Sequence, residues 1–148
     1  MKGYEINNET IAILPMAGKK SKVIEKANEY IIDKPPFDII EESCIYFGSS
    51  YKGRHDGTKQ LIGVTHKAPI IIEESKELVF FPTTSPLLAE CGWFSLKEIK
   101  NYYRKRGGSV VELSNGYRVN LRLSYGSFDN QVLRAARLES VLRNRKDM

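Results

Sequence analysis

The segment Val111-Glu112-Leu113-Ser114-Asn115-Gly116-Tyr117-Arg118-Val119-Asn120-Leu121-Arg122-Leu123 alternates apolar and polar residues on both sides of a Ser-Asn-Gly break, the period of a half-buried β-hairpin. If one side is to be buried, Val111 and Leu113 must share a face with Tyr117, Val119, Leu121 and Leu123. A two-residue Asn115-Gly116 loop fails that requirement, because it sets Leu113 opposite Arg118. A three-residue Ser114-Asn115-Gly116 loop, with Gly116 in a left-handed bulge, sets Leu113 opposite Tyr117 and Val111 opposite Val119. The three-residue turn is the prediction. Glu112, Arg118, Asn120 and Arg122 then point the other way, to solvent or to a ligand.

Downstream, after turn residues Ser124 to Ser127, the positions Phe128, Val132, Ala135, Leu138 and Leu142 follow helical spacing. Ser127 is the expected N-cap and Asp129 sits in the first turn, while Arg143, Arg145 and Lys146 complement the dipole at the far end. Upstream, Pro69 to Glu74 and Leu78 to Pro82 read as neighbouring strands around a charged turn, with a further break at Thr83 to Pro86. Thr10 to Leu14 reads as a strand stopped by Pro15, with a turn at Gly18, Lys19 and Lys20. Val23 to Lys26 and Tyr30 to Ile32 form a hairpin that Pro35 and Pro36 end. From Phe37 the apolar residues fall at 37, 39, 40, 44, 45 and 47, which predicts a helix. The polar, glycine-dense run Gly48 to Leu61 is expected to begin as a loop and become a short helix near Gln60. The fold class is therefore α+β, a strand-rich single domain over residues 1–148 with antiparallel hairpins, one internal helix and a closing C-terminal helix. Its only candidate division is into sub-lobes of about 1–67 and 68–148.

At 148 residues, with 41% apolar and 28% charged side chains, the chain is long enough to bury a core and too balanced for disorder or a collagen-like repeat. The start MKGYEINNET has no apolar core of signal-peptide length, and no apolar run nears the roughly 20 residues that cross a bilayer, so a cytoplasmic location is expected. Cys44 and Cys91 form no CxxC pair and read as buried thiols rather than a disulfide. The net charge of +5 is unevenly placed: residues 100–148 hold eleven Lys or Arg against four Asp or Glu, and residues 1–99 hold twelve against fourteen. That asymmetry fits a polyanion, and without a strongly amphipathic terminal helix it favours nucleic acid over a membrane surface.

Competing chemistry is weak. Gly48 to Gly53 has the glycine spacing of a phosphate-cradling P-loop, but Arg54 and His55 stand where that motif needs Lys and then Ser or Thr. The loop still offers Ser49, Ser50, Lys52 and Arg54 to a DNA phosphate. Ser49, Ser50, His55, Asp56 and His66 are the residue types of a nucleophilic triad without a strained elbow to present the serine. Cys44, His55, His66 and Cys91 match no compact zinc spacing, so no catalytic residue, metal or cofactor is assigned. The run Asn101 to Gly108 suits phosphates or a solvated strand edge equally, and Arg134 with Arg137 could clamp a phosphate or simply form a charged helix face.

Four blocks, FGSSYKGRHDG at Phe47 to Gly57, THKAPIII at Thr65 to Ile72, CGWFS at Cys91 to Ser95, and SYGSFDNQVLRAARL at Ser124 to Leu138, resemble the ComK family of competence transcription factors. The resemblance implies a double-stranded DNA-binding activator of competence genes that recognises paired boxes of A and T runs, largely through the minor groove, as a homo-oligomer. It also implies an adaptor of the Clp protease as a partner, which captures family members through a tail beyond the equivalent of Met148, where this sequence stops. Residues from about 93 to 140 resemble LytTR-type DNA-binding domains in the order of strand, hairpin and closing helix. The expected contacts are Ser49, Ser50, Tyr51, Lys52, Arg54, Lys59, His66 and Lys67, together with Asn130, Gln131 and Arg134. Lys and Arg would neutralise phosphates or enter the groove, and the amides and hydroxyls would fix register. The alternatives are an interaction module that modulates a longer relative without binding DNA, and an enzyme acting on nucleic acid.

Overall fold

Residues 1–147, which the computed structural model describes, build two antiparallel sheets and three α-helices. The larger sheet has six strands: β1 (Thr10–Met16), β2 (Lys20–Glu25), β3 (Glu29–Ile32), β4 (Ile70–Glu73), β5 (Leu78–Pro82) and β6 (Trp93–Ser95), in the order β3-β2-β1-β6-β5-β4. Helices α1 (Pro36–Tyr46) and α2 (Tyr51–Ile62) lie between β3 and β4 in the chain. The smaller sheet, β7 (Ile99–Lys105), β8 (Gly108–Leu113) and β9 (Arg118–Leu121), precedes α3 (Tyr125–Lys146). Because β1 pairs with β6, the large sheet draws strands from both sides of residue 67, and a division there falls inside one sheet.

Strand alternation gives the large sheet two buried faces. Ile13, Val23, Ile32, Phe80 and Trp93 pack beneath α1, against Ile39, Ile40 and Cys44. Ile11, Ala12, Ile24, Phe81 and Phe94 face α3 and the small sheet, meeting Val111, Leu113, Val119, Phe128, Ala135 and Leu138. Phe81, Phe94 and Phe128 form a triangle with ring centroids 5.5 to 6.0 Å apart. Each such ring contributes about 1.5–3 kcal/mol by leaving water. The order of layers is thus α1, six-stranded sheet, then α3 with the small sheet.

The β8–β9 hairpin has the three-residue turn: Val111 pairs with Val119, Leu113 N–H donates to Tyr117 O at 2.8 Å, and Gly116 has φ +88°. Three other expectations change. Strand β1 runs through Pro15 to Met16, because β6 flanks only Ala12 and Ile13, so the absent N–H of Pro15 forfeits no bond on that side. The N-cap of α3 is Ser124 rather than Ser127, its hydroxyl accepting from Ser127 N–H at 3.1 Å. The third change is α2 itself, a full second internal helix from Tyr51 where a loop turning helical only near Gln60 is expected. Ser50 caps its start, Gly63 closes it with φ +72°, and Tyr51, His55, Thr58 and Ile62, at helical spacing, turn inward or half inward. Packing against α1, β4 and α3 holds this helix in spite of Gly53 and Gly57.

Candidate nucleic-acid interface

Helix α2 is locked at its N-terminus by two carried-in acceptors. The Ser50 hydroxyl accepts from Gly53 N–H at 2.9 Å, and the Glu41 carboxylate accepts from Tyr51 N–H at 2.6 Å, tying α2 to α1. Tyr51 packs edge-on to Phe37 with centroids 4.8 Å apart and to Trp93 at 6.5 Å. Burial pushes its hydroxyl up to about 12. Tyr51 is therefore a packing residue first, half-buried against the core.

Once the segment is helical, the expected pair Lys52 and Arg54 separates, since two residues span about 200° of a helix. Lys52 projects into solvent with its side chain 86% exposed, pairing with Asp56 at 2.8 Å, and exposed Lys59 shares that face two turns on. The Lys52 ammonium holds the Asp56 carboxyl below its usual range. Arg54 turns the other way, only 17% exposed, and pairs with Glu74 at 3.3 Å. It lines a cleft of about 470 Å³ between α2 and the end of α3, with Leu61, Leu142, Arg145 and Lys146. The single loop surface expected from the sequence is thus two helix faces.

The loop after α2 carries His66 and Lys67, and its backbone is clamped from both sides. From α2, Thr58 Oγ1 donates to Pro69 O at 2.6 Å and His55 Nε2 lies 2.8 Å from Thr65 O. From α3, Gln131 Nε2 donates to Lys67 O and to Pro82 O, both at 2.8 Å. Arg134 donates to His66 O at 3.0 Å and to Gln131 Oε1 at 3.3 Å. Lys67 holds φ +50° in this clamp. Gln131 is 1% exposed, so it is corrected from a DNA-facing amide to an interior strut whose polar atoms are committed. Arg134 is half-buried, its Nη1 donating to the loop and to Gln131, whereas Asn130, one position earlier than Gln131, is exposed. The structure thereby joins the backbone of His66 and Lys67 to Arg134 and Gln131 on α3, next to exposed Asn130, while Ser49, Ser50 and Lys52 lie at the N-terminal end of α2.

The residue types of the triad and zinc alternatives are otherwise engaged. Ser50 caps α2, and His55 faces a backbone carbonyl. Cys44 and Cys91 are free and buried, and burial raises both thiols, that of Cys44 to about 12. Among the described residues no cluster of three or more His, Cys, Asp or Glu is placed to hold a metal ion, and no helix is long and apolar enough to cross a membrane.

Beyond the residues singled out from the sequence, the small sheet leaves one face open. Its inner face carries Tyr102, Val111, Leu113 and Val119, with Tyr102 Oη donating to Asp129 at 2.6 Å. Across its outer face the register aligns Tyr103, Val110 and Asn120 in one row and Asn101, Glu112 and Arg118 in the next. The strand alternation of Arg118 and Asn120 was legible in advance; the matching row of β7 required the β7–β8 register.

Cationic side chains on exposed helix, loop and strand positions, over a rigid α+β frame, define a protein suited to a polyanionic partner. The chain belongs to the ComK family: the match to ComK protein extends over residues 1–147. It is 39% identical over 151 residues to a competence transcription factor of Bacillus subtilis (strain 168), covering 99% of this chain and 79% of that relative. No solved structure matches it.

Proposed function

We propose that this protein is a competence transcription factor, an activator in the cytoplasm that binds double-stranded DNA at paired A/T-run boxes, mainly through the minor groove, as a homo-oligomer. The observation that carries the reading is similarity to the Bacillus subtilis competence transcription factor along essentially the whole chain. The clamped loop supports it, because His66 and Lys67 are presented on a backbone that α2 and α3 hold in one conformation. Lys52, Lys59, Lys67 and Arg134 supply positive charge; Ser49, Ser50, His66 and Asn130 supply hydrogen-bonding groups to fix register. Arg54 reaches phosphate only by giving up Glu74, and Tyr51 and Gln131 act by holding the frame. Runs of A and T narrow the minor groove and deepen its negative potential, which favours Lys and Arg reading shape.

Inosine·cytosine pairs test the groove. They keep the major-groove pattern of G·C but show the minor groove only the acceptors that A·T shows. Boxes rebuilt in inosine·cytosine should bind within about threefold of A/T boxes, while G·C boxes lose most of the affinity. If inosine boxes are as poor as G·C boxes, minor-groove recognition is wrong.

A further inference from the structure

Residues 99–123, which make up the small sheet and its turns, contain six of the chain's 23 Lys and Arg but one of its 18 Asp and Glu. The formal charge of this segment, +5, equals that of the entire chain, and the remainder is balanced. Its one acid, Glu112, is already paired with Arg118 at 3.3 Å. We propose that the outer face of β7-β8-β9 is a second DNA-contacting surface, distinct from the α2 and loop residues, that lies along the phosphate backbone of the duplex. This inference rests on the DNA-binding reading and adds a surface to it.

The geometry suits a phosphate track. Three strands about 4.8 Å apart and up to seven residues long make a platform of roughly 10 by 23 Å. On it Lys105 reaches across to Asn120 Oδ1 at 2.8 Å, and Arg118 stays 63% exposed despite its partner. Tyr103, 39% exposed, stands among these cations and offers a hydroxyl to phosphate. Arg106 sits at the β7–β8 turn, whose position is fixed by Gly108: a Cβ there would lie 1.9 Å from Leu121 O, so only glycine lets the turn close onto β9. Arg122, exposed just past β9, extends the track. Arg104 is excluded from the face, since its guanidinium lies over the Tyr125 ring at 4.6 Å. Cations on the edge strands β7 and β9 also discourage sheet-to-sheet pairing, a role that by itself predicts no change in the salt slope of DNA binding.

The experiment compares the full chain with K105Q/R106Q/R118Q/R122Q on a duplex with two A/T-run boxes and on a shuffled duplex, across a salt series. Each lost phosphate contact lowers the slope of log affinity against log salt by about 0.9, so the variant's slope should fall by roughly 2 to 4. Affinity at low salt should drop at least about tenfold on both duplexes, with their ratio unchanged, because phosphate contacts carry no sequence information. The charge-preserving R106K/R118K/R122K variant should keep the parent slope, and unchanged circular dichroism confirms folding in both. An unchanged slope in the glutamine variant, with the parent still preferring boxed DNA, overturns the second surface and leaves the DNA-binding reading intact. Loss of binding to phosphatidylserine vesicles with DNA binding unaltered, or self-association without a change of slope, overturns it as well. If the parent binds neither duplex, the DNA-binding reading itself fails.

Discussion

Gln131 shows how one buried amide can organise a surface it never reaches. Its Nε2 serves Lys67 O and Pro82 O together, so removing it leaves two carbonyls unpaired inside the protein. Q131L should destabilise by about 1–3 kcal/mol in urea unfolding, and should weaken DNA binding by loosening the loop that presents His66 and Lys67. Three phenols report a second residue-scale property. Burial, with the Asp129 carboxylate accepting from it, raises the Tyr102 hydroxyl to about 12; Tyr51 is raised to about 12 by burial, and Tyr4 is raised further by burial beside Glu25. In the unfolded chain a phenol ionises near 10, so these groups favour the folded state below that pH and their contribution is lost as pH rises toward 12. The melting temperature should therefore fall between about pH 10 and 12, with a shallower fall in Y102F. An equally steep fall in Y102F would show that Tyr102 does not contribute.

Helix α2 is the element in which backbone preference and packing disagree. A Cβ at Gly57 meets nothing within 4 Å, whereas one at Gly53 would lie 2.8 Å from Ser49 Oγ and 3.2 Å from the capping Ser50 Oγ. G57A should stabilise by about 0.4–1 kcal/mol, measured by chemical denaturation. G53A should gain less or lose stability, because the cap must shift to admit the methyl group. Those same glycines hid the first turns of the helix from its sequence: low apolar content and high glycine read as a loop until near Gln60, and only the Tyr51, His55, Thr58 and Ile62 stripe signalled otherwise. The β8–β9 hairpin was legible because a period of two tolerates one register, and a single glycine sat where the left-handed residue had to fall. Strand β1 was cut short at Pro15 because nothing local says that β6 ends before it. Side-chain type alone could not tell Gln131, facing inward on α3, from Asn130, facing out; that distinction depends on which carbonyls the neighbouring loop leaves unpaired.

At the scale of the molecule, a balanced body carries its excess charge on one small sheet, while α2, the clamped loop and the start of α3 present the groups proposed to fix register. Sequence showed the late cluster of cations, but not that β7 and β9 set Lys105 and Arg118 on one open face. Such a division assigns affinity to the sheet and selectivity to the helix and loop. Alanine at Lys52, Lys59 and Lys67 together should thus narrow the preference for boxed over shuffled DNA, whereas the sheet variant keeps that preference at lower affinity. The measurement that bears most directly on the account is equilibrium binding of the unmodified protein to a duplex with two A/T-run boxes and to a shuffled duplex of equal composition, across salt and with a minor-groove competitor. The account predicts preference for the boxed duplex, a steep salt slope and displacement by the competitor. Equal, weak and competitor-insensitive binding to both duplexes would contradict it.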